Sequence, residues 1–207
     1  MPSSDPHRIE SLGALRERMG EPNPATPKKV FAELDEQMRA FVDRSPFCML
    51  ATTDADGNPE VSPKGDGPGF ALIEDERTLV LPDRKGNKLL FGLQNVLANP
   101  RVGLIFLVPG TDETLRVGGR AELRTDPDLL ARLAARGQPA LLAIRVHVER
   151  AFFHCARAFL RAELWNPDSW PDPLRISFGR QLAPRLGGDD KLAAAIDANI
   201  EKGRSDL

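Results

Sequence analysis

The stretch Phe47–Phe70 reads FCMLATTDADGNPEVSPKGDGPGF. Two short runs of strand character, FCMLATT and PEVSP, flank DADGN, whose Asp56-Gly57 step is a hairpin turn signal. The same arrangement recurs outward along the chain. GFALIE and TLVLP are joined by DER, RVGLIFLV and TLRVGGRAEL by PGTDE, and the long run ALLAIRVHVERAFFHC ends the series. Gly118-Gly119 inside one of these runs suggests a bulge or a close backbone approach. Helical segments are set between and around the hairpins. Thr26-Pro27 opens one, with Val30, Phe31, Leu34, Met38, Phe41 and Val42 at helical spacing; residues 87–99 form another, stopped by Asn99-Pro100. DPDLLARLAARG is a third, ended by Gly137, and ARAFLRAELW and KLAAAIDANI are two more. Six or seven strands in hairpins without βαβ alternation argue for a mainly β fold, an antiparallel barrel with peripheral helices.

The chain divides by composition into an N-terminal arm over residues 1–25, a domain over 26–170 and a C-terminal helical tail over 171–207. A length of 207 residues with 41% hydrophobic content is enough for one substantial core. A formal net charge of −2 gives no general basic field, so a nucleic-acid partner is not expected. No apolar run reaches the roughly 18 residues of a membrane span, and MPSSDPHRIE lacks a signal-peptide core, so the expectation is a cytoplasmic protein. Cys48 and Cys155 are far apart, outside any CxxC pattern, and the chain has three histidines, so neither a disulfide framework nor a metal site is expected.

Cations matter here where they cluster. In LVLPDRKGNKL, residues 79–89, an apolar strand ends in Arg84, Lys85 and Lys88 around Gly86-Asn87 and runs into a helical pattern. A phosphate carries nearly two negative charges and needs two cations, or cations with backbone N–H donors, and this segment supplies both, with Asn87 as a possible cap. The alternative is a solvated loop. A second strand end, VSPKGDG, brings Ser62 and Lys64 beside a glycine, and hairpin topology could place it next to PDRKGN so that both ends share one anion. The alternative there is a polar turn with Lys64 pairing Asp66.

These runs, with NVLANPRVGLIFLVPGTDETLRVGGRAEL and AFFHCARAFLRAELW, resemble the FMN-binding split-barrel proteins related to pyridoxamine 5′-phosphate oxidase over most of residues 40–165. The resemblance implies a six-stranded antiparallel Greek-key split β-barrel that forms a homodimer with FMN in two clefts at the subunit interface. It implies that Val61, Ser62, Pro63 and Lys64 on one strand, Leu81 and Pro82 beside the ring, and Arg84, Lys85, Asn87 and Lys88 hold the flavin and its phosphate. From the partner copy it implies Thr114, where the family's usual glutamine is replaced, or Arg116, and His154 and Arg161 further on. Cys155 reads as a small buried residue, and Trp165 as an interface or core anchor. Arg145-x-His147 is similar to the Arg-x-His pair of the vitamin-forming oxidases but lies too early, with both side chains on one strand face. Oxidation of pyridoxamine phosphate itself is therefore not the expectation.

The activity implied is hydride transfer through flavin N5 to or from a small-molecule substrate, with no catalytic residue of the protein assigned. The alternative is a non-catalytic dimeric protein that holds FMN, haem or a deazaflavin on the same scaffold.

Overall fold

A computed structural model of the chain describes Asp5 and residues 7–204; the start of the expected arm, Pro6 and the last three residues of the expected tail lie outside the described residues. Two compact units divide between Trp165 and Asn166.

The first unit opens with helix α1 (Leu12–Met19), capped by Ser11 and without a buried residue. The expected helix at Thr26-Pro27 is only a 3-10 turn, Thr26–Lys29, because Phe31 instead exchanges two backbone hydrogen bonds with Ala151. Helix α2 (Glu36–Arg44) starts where Asp35 accepts from the Met38 N–H at 2.8 Å, and it buries Met38 and Val42.

Seven strands follow: β1 (Phe47–Thr53), β2 (Pro59–Gly65), β3 (Leu72–Asp75), β4 (Thr78–Asp83), β5 (Arg101–Leu107), β6 (Thr114–Arg124) and β7 (Leu142–His154). They form one sheet in the order β2-β1-β5-β6-β7-β4-β3 with every pairing antiparallel. The implied count of six strands is thus corrected to seven. The reason is local: the short turn at Glu76-Arg77 lets β3 pair with β4 as a separate edge strand, and Asp75 braces that turn by accepting from Arg77 N–H and Thr78 Oγ1.

Cys48 and Leu50 from β1 share one core with Leu79 and Leu81 from β4, although these strands stand far apart in the sheet order. The sheet therefore curls around a common interior. Period-2 alternation aims these side chains inward, along with Leu104, Phe106, Leu115, Val117 and Val146. Strand β4 is buried on both faces, since Val80 packs outward with Leu129, Leu133, Ala140 and Ala143. This explains why LVLP reads as a continuous apolar run.

The bulge expected at Gly118-Gly119 is present as a register shift between the two glycines. A Cβ on Gly119 would lie 2.0 Å from the His147 carbonyl oxygen, a distance no side chain tolerates. Helices α3 (Phe91–Ala98), α4 (Pro127–Arg132) and α5 (Arg157–Ala162) interrupt or follow the strands. Helix α4 is half the length the sequence suggests: Leu133 leaves the helix and Ala135 turns back to bridge Gln138.

The second unit contains helices α6 (Phe178–Leu182) and α7 (Asp190–Arg204). Asp197 ties them by accepting from Ser177 Oγ and the Gly179 N–H, and Gly179 packs so closely on Ala193 that only a glycine fits. Among the described residues no helix is long and apolar enough to cross a membrane, and no group of His, Cys, Asp or Glu is arranged to hold a metal ion.

Candidate functional site

The two cationic strand ends singled out in the sequence meet in space. On edge strand β2, Glu60, Ser62 and Lys64 alternate toward the interior, Ser62 opposite Leu50 and Lys64 opposite Cys48, while Val61 and Pro63 face outward. Lys64 is mostly buried, and its ammonium donates to Asp83 at the end of β4. Its proximity is also felt below it. Burial pushes the Cys48 thiol up to about 12, with the Lys64 charge pulling the other way, so this cysteine is an inert core residue.

Arg84 follows Asp83 and, by alternation, leaves the strand on the opposite side. Its Nε donates to Asp66 at 2.9 Å and its Nη2 to the Leu133 carbonyl at 2.7 Å, while Nη1 is buried with no hydrogen-bond partner among the described residues. Lys64 therefore does not pair Asp66 within its own turn. The ion pairs cross between the strand ends instead, Lys64 to Asp83 and Asp66 to Arg84, and they staple β2 to β4.

Leu81 and Pro82 are buried in β4. Beyond Arg84, residues 85–90 are exposed, and neither Lys85 nor Lys88 forms an ion pair among the described residues. The helix expected from residue 87 begins only at Phe91, because Lys88 and Leu90 both take positive φ, at 61° and 59°. Asn87 accordingly folds the loop rather than capping the helix, accepting from the Leu89 N–H at 3.0 Å. Helix α3 is held over the β1–β2 hairpin by Asn95 donating to Thr52 and Asn99 donating to Thr53, and its first turn places Gly92 against Ser62. Ser62 on edge strand β2 thus lies beside the opening turn of α3, Lys64 meets the end of β4, and Lys85 and Lys88 sit on the exposed loop that joins β4 to α3.

Thr114, Arg116 and His154 lie on the outward face of the sheet. Register aligns Pro63, Met49, Ile105, Arg116 and Phe152 in one row across five strands, and Val61, Ala51, Gly103, Gly118 and Arg150 in the next. Thr114 is buried and stands opposite His154. Arg116 Nε is buried without a hydrogen-bond partner among the described residues, and Lys29 reaches over the Phe152 ring at 5.7 Å. Lys29 carried no signal in the sequence, since only the Phe31–Ala151 bridge brings it here.

Burial, then the charges of Arg116 and Lys29, hold the His154 pKa below its ordinary 6.5. Below about pH 6.5 the unfolded histidine binds a proton that the folded one refuses, so the unfolded state binds more protons and stability falls as the pH drops toward the folded pKa. An NMR titration of the three histidines is expected to place His154 below the ordinary range, and Arg116→Gln to move it back upward. A midpoint at or above the ordinary value would contradict this placement.

Arg161 is exposed on α5, and Cys155 is exposed rather than buried as the sequence suggested. Trp165 anchors the end of the first unit by donating from Nε1 to the Thr111 carbonyl and packing on Phe159. Arg145 and His147 share one face of β7 as expected, but Arg145 is occupied by Glu74 at 2.7 Å and Glu122 at 3.5 Å. The acidic partners Asp66 and Asp83 were not read from the sequence as members of this site; DGP after the first strand end and PD before the second were the only signs of them.

These elements define a curled antiparallel sheet whose β2 and β4 ends are joined by crossed ion pairs and whose outward face mixes apolar side chains with Arg116, Arg150 and His154. The chain belongs to the pyridoxamine 5′-phosphate oxidase family, whose family model matches residues 34–155, more than half of its length. The pyridoxine/pyridoxamine 5′-phosphate oxidase of Cupriavidus taiwanensis is 34% identical over 137 residues, which cover 64% of this chain and 58% of that protein. The chain thus spans less than two thirds of that relative's length. Among solved structures, HupZ of Group A Streptococcus is 21% identical with a TM-score of 0.48 over 58% of this chain and 93% of its own. An FMN-binding protein from Syntrophomonas wolfei is 9% identical with a TM-score of 0.43, over 56% and 88% respectively.

Proposed function

We propose that the chain is a homodimeric FMN-binding oxidoreductase that moves a hydride between the flavin and a small molecule. The observation that carries this reading is the meeting of the β2 and β4 ends, with Lys64 turned inward beside Ser62 and two unpaired lysines on the following loop. The donor set fits a phosphate monoester, which needs two cations or a cation with N–H donors. Lys64, Lys85 and Lys88 supply charge, and Ser62 and the first turn of α3 supply neutral donors. Asp83 holds Lys64 in place, so phosphate binding exchanges one acidic partner for another at the same ammonium.

The outward face supports sharing of the cofactor between two copies. Met49, Ile105 and Phe152 form an apolar row there with Arg116, whose Nε lacks a hydrogen-bond partner among the described residues. A flavin held by Lys64 and Ser62 of one copy and by Thr114, Arg116 and His154 of the other would supply the two-electron chemistry. The chain's own residues would bind and orient it, and burial, with the charges of Arg116 and Lys29, favours the neutral form of His154, a hydrogen-bonding group rather than a cation. A second reading, a protein that holds FMN without turnover, is favoured by Asp66 and Asp83 both being engaged by cations, which leaves no carboxylate at the strand ends free for acid–base work.

The test is the visible spectrum of the purified protein before and after heat denaturation, with the released cofactor identified by mass. Flavin bands, released FMN and bleaching by a nicotinamide donor are expected. A yellow protein inert to reductants selects the holding role, and a released deazaflavin or a Soret band reassigns the cofactor. A colourless protein that takes up no added FMN overturns the reading.

A further inference from the structure

On the outer side of the β4 end lies a cleft of about 730 Å³, a size that suits a small ligand. Loop 66–73 forms one wall and residues 132–136, just after α4, form the other. Its lining carries four guanidinium groups, Arg39, Arg84, Arg132 and Arg136, against two carboxylates, Asp43 and Asp66. Arg39 donates to the Leu34 carbonyl at 2.8 Å, but the other three arginines keep donor capacity in reserve. Arg84 Nη1 is buried with no hydrogen-bond partner among the described residues, and Arg132 and Arg136 form only loose ion pairs, at 3.7 Å with Glu74 and 3.8 Å with Asp66, beyond hydrogen-bond distance. Between the arginines the wall is apolar, from Phe70, Leu72 and Leu133.

We propose that this cleft is a second anion site, separate from the flavin clamp, which takes a small organic oxyanion: a carboxylate or phosphate ester with an apolar body. Planar guanidinium groups from three elements give the paired N–H donors that such a group accepts, and Arg84 Nη1 gains the partner it lacks. Separation from the clamp follows from the strand's alternation. Asp83 turns inward to Lys64 while Arg84 turns outward, and none of Ser62, Lys64, Lys85 and Lys88 lines the cleft. The site rests on the flavin reading only in that the anion would be a substrate or regulator of that enzyme; its binding is measurable without turnover.

The experiment is calorimetric titration of the purified protein with benzoate and with inorganic phosphate, alongside Arg132→Gln and Arg136→Gln, and FMN affinity measured separately by flavin fluorescence. Arg132 and Arg136 are more than half exposed, so both variants should fold. Saturable binding of either anion is expected, weakened about tenfold or more in each variant, with FMN affinity unchanged. Benzoate binding without phosphate binding assigns the carboxylate class, and the reverse assigns the phosphate class. Absence of saturable binding by both probes overturns the proposal. It is equally overturned if the two variants lose FMN affinity in parallel, because the cleft is then the seat of the flavin phosphate. Failure to take up FMN with anion binding intact would refute the flavin reading alone.

Discussion

Lys64→Ala is expected to weaken FMN binding by about tenfold to a hundredfold, the equivalent of about 1.5–3 kcal/mol for one charge-assisted contact to a phosphate. The same substitution leaves Asp83, itself largely buried, without its cation, and stability should fall by about 1–3 kcal/mol, less than for a fully buried pair because solvent reaches both groups. Asp83→Asn separates the two effects. It also breaks the staple between β2 and β4 and should cost comparable stability, but it leaves the Lys64 ammonium with no competing carboxylate. FMN affinity is therefore expected to hold or to rise in Asp83→Asn while it collapses in Lys64→Ala. Fluorescence titration with FMN and urea denaturation on both variants would make the comparison, and an equal loss of affinity in the two would mean that Lys64 acts through the fold rather than on the phosphate.

The contrast between these variants also marks what was legible in the sequence. The hairpins were, because alternation and turn residues are local: Asp56-Gly57 forms its turn with Gly57 at φ 87°, and Gly118-Gly119 marks a true bulge. The cationic strand ends were legible as chemistry. Their pairing was not, since Lys64 had an acidic residue two positions away in Asp66 and another nineteen positions away in Asp83, and only the curl of the sheet decides between them. For the same reason the partners of Arg84 were not legible, since alternation at the end of β4 turns it onto Leu133 and Asp66. The start of α3 was misplaced by four residues because Lys88 and Leu90 adopt left-handed backbone without the glycine that usually announces it. Lys29 joined the group around His154 through one β-bridge between segments about 120 positions apart, which no short-range pattern encodes.

Ile105→Arg is expected to convert the protein to a monomer. Ile105 lies at the middle of the outward row, between Met49 and Arg116 in the register, so the new guanidinium would sit within the proposed interface, and two-fold symmetry would bury it twice. An unpaired charge in such a place costs several kcal/mol. A dimer that dissociates near micromolar concentration is held by only about 8 kcal/mol, so a loss of about 4 kcal/mol moves its dissociation constant roughly a thousandfold. Light scattering at micromolar concentration checks this, with Ala55→Arg in the exposed β1–β2 turn as a charge-matched control that should remain dimeric. A monomeric parent protein would contradict the shared-cleft architecture outright. The variant has a second consequence that binds the two halves of the proposal together. If each flavin is gripped by Lys64 of one copy and met by Thr114, Arg116 and His154 of the other, separation of the copies removes half of the contacts, and FMN should be lost with the dimer. A monomeric Ile105→Arg protein that retains full FMN affinity would show instead that the strand-edge clamp of a single chain is sufficient, and the unpartnered Arg116 would then need a different occupant.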